Sequence, residues 1–475
     1  MTIIQASRSP RTAQASPTAA TGRDPVIDLV RALCVVAIVL LHGLQMGVTV
    51  GPHGPVLEYA TVGASWYPPV TWLLQVLPVF FVIGGFSGML AFRRLRDRGG
   101  TATDFVVGRV HRLLLPAVVT ISVVAVVLAV LQVRGVPPEL LLEAGVRYGQ
   151  PLWFLGVFLG SQAVLPTLLR AHERAPLGTL AVLGAGALGV DALRSLTGVD
   201  AVGYANLAFV WLALQQLGFF LAEGRLDALR PVTRVRIGAG AVALLAGAFA
   251  LGIFSPDLIA QMNPPTSALL LVGVAQTAAF TLLRPTLAAL IARPRLSAVT
   301  AFVTARTMTI YLWNLPVLLT MAGVSAYLAE HGGLLLPDPS AVLWWTLRPS
   351  WLVLSLVLTA AVAWALGGME RRRLHHPTTS SSRAQQAVLL ALAGVLVPLL
   401  AGTTVLTALL AAGLFLTALS RVQAPRVSRV PLASKAPQAP ASPHVSGAPQ
   451  VAGAPQASGA EPHVGTLQVT GAAGR

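Results

Sequence analysis

The stretch "DLVRALCVVAIVLLH", Asp28 to His42, is apolar enough to lie in a bilayer, yet it carries an aspartate, an arginine and a histidine. Eleven residues separate Arg31 from His42. At about 100° and 1.5 Å per residue they fall within roughly 20° of one helical stripe, about 16 Å apart along the axis. Asp28 stands three residues before Arg31, within side-chain reach on that same face. Ionisable groups in hydrocarbon are costly, and a histidine whose ordinary pKa is near neutrality points to function more than to packing. For Arg31 the plain alternative is an interfacial anchor paired with Asp28.

The remainder of the chain gives this helix its setting. Of 475 residues, 55% are hydrophobic and only 11% charged, a balance that belongs to polytopic membrane proteins. Apolar runs long enough to cross a bilayer recur near 26–50, 70–92, 105–132, 151–169, 177–195, 203–222, 236–254, 266–291, 298–325 and 351–369. The stretch 387–420 is too long for one ordinary span and softens at "AGTT", which reads as a helical hairpin. The expected fold is therefore an all-α polytopic membrane helix bundle. Its parts are ten core transmembrane helices within 25–375, a linker at 376–386 and the hairpin at 387–420, with disordered ends at 1–24 and 421–475.

A net charge of +16 would suggest nucleic acid in a soluble domain, but here the basic residues sit in short connections between apolar runs, which excludes that partner. "RRLRDR", "RAHER", "RLDALRPVTRVR", "RPR" and "ERRRLHH" follow the even-numbered runs, while the opposite connections, such as "SPDLIAQMN", are acidic or balanced. The bias places the amino terminus and, through the hairpin, the carboxyl terminus in the cytoplasm. Trp66, Tyr67, Trp72, Trp344, Trp345 and Trp351 fall at the outer ends, as an aromatic belt. Arginine almost without lysine, with heavy Ala, Val, Leu and Gly, suggests a GC-rich bacterial genome and hence a bacterial plasma (inner) membrane. The single cysteine, Cys34, excludes an intrachain disulfide, and no histidine has ligand-like company, so no metal site is expected.

An arginine, ten residues and then a histidine in the first helix, preceded by "DLVRAL", resembles the acyltransferase-3 family of integral membrane acyltransferases. The resemblance continues in order through "LPVFFVIGGFSGML" (77–90), the Arg-x-x-Arg element of "GRVHRLLLP" (108–116), "PLWFLGVFL" (151–159) and "TIYLWNLPV" (309–317). It implies that His42 is a base activating an acceptor hydroxyl for attack on an acyl thioester, with Arg31 and Asp28 supporting the lower part of the channel. Direct transfer and a histidine-bound acyl intermediate both remain open. It also implies that Arg109 and Arg112 hold coenzyme phosphates, with Arg93 and Arg96 beside them, although topology alone makes such loops arginine-rich. Gln75, Trp153, Trp313 and Asn314 are the substrate-binding candidates. Asn314 stands where the family often carries histidine, and an amide cannot take up a proton at neutral pH.

The implied activity is O-acyl transfer, acetyl or short-chain, with acyl-CoA as co-substrate and no tightly bound cofactor. The implied partners are the lipid bilayer and an envelope glycan, glycolipid or small hydroxylated acceptor. The rival reading is a transporter or flippase, for which many helices and embedded charges are also ordinary. Asn206, Gln215 and Gln216 read as interhelical hydrogen-bonding groups that fix packing. "GGFSG" (84–88) reads as a close-packing segment, and Ser87 is not expected to be a nucleophile.

Overall fold

A computed structural model describes residues 24–51, 54–339, 341–370, 372 and 374–424. The expectations for the ends, residues 1–23 and 425–475, lie outside the described residues. Among the described residues, twelve helical segments are long and apolar enough to cross a membrane.

The first helix, α1 (Pro25–Gln45), starts where Asp24 accepts hydrogen bonds from the amides of Val26 and Ile27, and Pro25 supplies a residue that needs no donor there. It ends earlier than hydropathy alone suggests. "MGVTVG" is apolar, but its glycines and β-branched residues favour extended backbone, and Met46–Gly51 (β1) pairs antiparallel with Gly54–Tyr59 (β2). This short hairpin is a local feature of a chain that is otherwise the expected all-α membrane bundle. Buried Arg147 ties it down by donating to the carbonyls of Leu57 (3.2 Å) and Glu58 (3.4 Å), with its guanidinium 4.3 Å over the Tyr59 ring.

Next come α2 (Tyr67–Leu74), α3 (Leu77–Asp97), α4 (Ala102–Val133), α5 (Pro138–Arg174), α6 (Pro176–Thr197), α7 (Asn206–Ala222), α8 (Pro231–Ala250) and α9 (Ala268–Ile291). The helix α5 begins well before the expected 151, because a pair such as Glu143 with Arg147 (2.7 Å) lets a helix continue past an apolar stretch. The ninth expected span is two helices, α10 (Pro294–Thr304) and α11 (Thr307–Gly332), broken at Ala305–Arg306. There Thr304 and Thr307 donate to the carbonyls of Thr300 (2.8 Å) and Val303 (3.3 Å), contacts that bend helices. After α12 (Val342–Leu366), α13 (Ser381–Ala401) and α14 (Val405–Val422) turn about Gly402, whose φ of 76° suits glycine.

The helix α1 runs through the middle, packed against α3, α9, α10, α11 and α12, whereas α6 and α8 are mostly exposed. The hairpin expected as an addition belongs to the same compact unit as the rest. A Cβ on Gly145 or Gly149 of α5 would collide with Thr403 in its turn. Another such crossing joins α3 to α7, where a Cβ on Gly85 would strike the Gln215 carbonyl and one on Gly218 that of Val82. Small residues let membrane helices approach this closely and gain dispersion contacts that lipid cannot replace. Gly85→Leu should therefore destabilise the bundle by about 1–3 kcal/mol or more, while Gly108→Ala, which meets nothing within 4 Å, leaves it unchanged. Thermal unfolding in nanodiscs measures both; equal transitions for wild type and Gly85→Leu would refute the close crossing.

Candidate functional site

His42 lies three residues before the end of α1 and is half-buried. Its Nδ1 is 2.8 Å from Oδ1 of Asn314, which is fully buried on α11. An amide oxygen only accepts, so with this amide orientation Nδ1 carries the proton and Nε2 has the free lone pair. An asparagine in the place of a titrating partner still orients the imidazole and selects its tautomer. The Asn314 Nδ2 is buried with no acceptor among the described residues, leaving one donor beside the ring uncommitted.

The other end of the stripe is built differently. Arg31 donates from Nη1 to Asp28 (2.7 Å) and from Nη2 to the Ser87 hydroxyl (2.5 Å). Ser87, set aside as a nucleophile, is the acceptor that joins this arginine to α3. Arg109 and Arg112, on α4, are near enough for their charges to act on Arg31 and on each other. Neither forms an ion pair with a described residue, although the Arg109 guanidinium lies 4.9 Å over the Phe105 ring. Three guanidinium groups thus lie near one another, and Asp28 pairs with one of them, Arg31. Glu370, just past α12, is the next acidic group. It caps α11 by accepting from the Thr309 amide (2.8 Å) and hydroxyl (2.5 Å), and burial pushes its carboxyl up against those bonds and the charges of Arg112 and Arg306.

The remaining candidates divide. Arg96 makes a two-pronged contact with Glu173 (3.1 and 3.2 Å) and Arg93 pairs with Glu223 (3.1 Å), so these two tie α3 to α5 and to the end of α7. Gln75 turns away from His42; its Nε2 donates to the Leu258 carbonyl (2.9 Å), and Gln276 donates to the Gln75 carbonyl (2.6 Å). Trp153 packs edge-on to Phe154, which meets Tyr311 of α11 at 4.8 Å. Trp313 is beside Asn314 in sequence but presents to a neighbouring cavity. Asn206, Gln215 and Gln216 each bond between helices, to Asp191, the Ser161 carbonyl and His172. His53 lies outside the described residues.

The structure adds a residue that sequence reasoning passed over. Arg348, buried on α12, donates to the carbonyls of Gly43, Leu44 and Met46, with its guanidinium 4.2 Å over Trp344 and 5.4 Å over Trp351. The last carbonyls of a helix have no intrahelical partner, and here one cation serves two of them, Gly43 and Leu44, together with the first carbonyl of β1, directly beyond His42. An arginine on the side that topology leaves poor in basic residues, set among three tryptophans, was the available signal.

A membrane helix bundle with a histidine on its central helix is the class of protein that this fold defines. The family model described as an acyltransferase domain matches residues 24–368, from the cap of α1 to just past α12. The chain thus belongs to the acyltransferase-3 family and is a transferase of acyl groups other than amino-acyl groups. No curated protein and no solved structure matches it.

Removing Arg348 leaves three carbonyls without their donor, so Arg348→Met should cost about 1–3 kcal/mol, while Leu347→Met at a half-exposed neighbouring position costs little. Unfolding transitions of the two variants in nanodiscs, compared with wild type, check this; an unshifted Arg348→Met would remove the capping role.

Proposed function

We propose that the protein is an O-acyltransferase that moves an acetyl or short-chain acyl group from cytosolic acyl-CoA to a hydroxyl of an envelope glycan, glycolipid or related acceptor in a bacterial plasma membrane. The observation that carries this reading is the His42–Asn314 hydrogen bond, which leaves Nε2 as a free base. In the reaction Nε2 takes the acceptor proton and the oxygen forms a bond to the thioester carbonyl carbon. The carbon–sulfur bond breaks, and the thiolate leaves as the thiol with the proton that the imidazolium returns.

The arginine end supports the donor assignment. Arg31, Arg109 and Arg112 repel one another, and a polyphosphate relieves that repulsion while meeting planar donors. An extended pantetheine arm spans the distance along α1 from there to His42. With both termini cytoplasmic, this end faces the CoA pool. Arg93 and Arg96, engaged with Glu223 and Glu173, serve the donor less directly in this scheme.

Purified protein in nanodiscs should transfer label from radiolabelled acetyl-CoA to an envelope-glycan or lipid extract, and His42→Ala should lower the rate by about 10²–10⁴-fold. Undiminished transfer by a folded His42→Ala variant would remove the histidine from the chemistry. Asn314→Asp places a carboxylate against Nδ1 and favours the imidazolium, so the acidic limb of the pH–rate profile moves to higher pH. Steady-state rates across pH measure the shift, and an unmoved limb would count against Nδ1 facing residue 314 during turnover.

A further inference from the structure

Between α4, α11 and α12, with Tyr148 of α5 at its back, lies a cavity of about 650 Å³, well within the size of small-molecule sites. Its floor is Val124, Val317 and Met321, all buried, flanked by Trp313 and Trp351. At its mouth Val324, Leu354 and Leu358 are exposed on the lipid-facing side of the bundle. No charged side chain lines it, which rules out the phosphates of a coenzyme or a bare sugar as its occupant. A hydrocarbon chain is the chemistry it fits, and the sideways opening is where bilayer lipids arrive.

Its position says whose chain. The slot starts at Trp313, next to the asparagine that holds His42, and follows α11 to Leu328, about 22 Å at 1.5 Å per residue. It runs away from the α11 start, where Glu370 and the charge of Arg112 lie. A donor held at the arginine end approaches His42 from the opposite direction, and a short acyl group needs no slot of this length. The buried indole N–H groups of Trp313 and Trp351, in a wall otherwise mostly carbon, have no acceptor among the described residues and suit an oxygen at the polar end of a chain. We propose that this slot holds one hydrocarbon chain of a lipid-linked acceptor and so presents the acceptor's hydroxyl to His42. The inference rests on the acyltransferase reading for the hydroxyl, but occupancy by a chain can be measured without any transfer.

The test uses the full chain in phosphatidylcholine nanodiscs with a phospholipid that carries a diazirine on one acyl chain, with crosslinks mapped by mass spectrometry. Crosslinks should concentrate on peptides of α11 and α12 that line the slot and compete away with dodecyl glucoside. They should be lost in Thr320→Trp and Ala361→Trp, which fill the mouth from exposed positions, and kept in Leu188→Trp on α6. Uniform labelling of all lipid-facing helices, or labelling that survives both filling variants, would overturn the slot. Competition by palmitoyl-CoA but not by dodecyl glucoside would overturn it too, by assigning the space to the donor. A slot that binds chains in a protein that transfers no label would leave this inference standing and sink the acyltransferase scheme instead.

Discussion

A helix that ends among other helices leaves carbonyls that water does not reach, and the arrangement around His42 depends on how that is resolved. Arg348 reaches across from α12 and takes the carbonyls of Gly43, Leu44 and Met46, with tryptophan rings stacked on its guanidinium. The chain can then leave the helix for the β-hairpin with these three carbonyls paired. His42 sits on the turn that Arg348 caps, and its ring is held by Asn314. The packing repeats the theme, since Gly43 leaves room for Leu352 of the same α12. Burial of a cation is costly in a low dielectric, and here hydrogen bonds and aromatic faces offset it.

The two ends of α1 thus do different work. One gathers three guanidinium groups, of which Asp28 pairs with that of Arg31; the other offers an imidazole hydrogen-bonded to an uncharged amide, with Arg348 on the adjoining carbonyls and an apolar slot beside it. Under the proposed function that asymmetry suits a phosphate-rich donor and a membrane-borne acceptor, because two such substrates differ in the solvent they come from. The other arginines of the same sequence neighbourhood, Arg93 and Arg96, show that basic character alone does not make an anion site: Glu173 and Glu223 already occupy them. The helices α6 and α8 are mostly exposed spans, while the polar groups around the candidate site come from α1, α3, α4, α11 and α12.

Hydropathy and charge made the bundle, the span near "DLVRALCVVAIVLLH" and the Arg31–Asp28 pair legible, because helix periodicity and the cost of charge in hydrocarbon act locally along the chain. The Arg31–His42 stripe was likewise set by spacing alone. The end of α1 was also written locally, in glycines and β-branched residues that the hydropathy reading outweighed; what local rules could not reach was the break at Ala305–Arg306. Nor could they separate Gln75 from Asn314, since both are amides in apolar runs and only the packing of α11 on α1 brings one to the histidine. Arg348, Ser87 and the slot between α4, α11 and α12 are products of helices far apart in sequence. Which residues must leave water is written in the chain; which of them meet was decided by the tertiary structure, because a buried polar group takes its partner from whichever helix is packed against it.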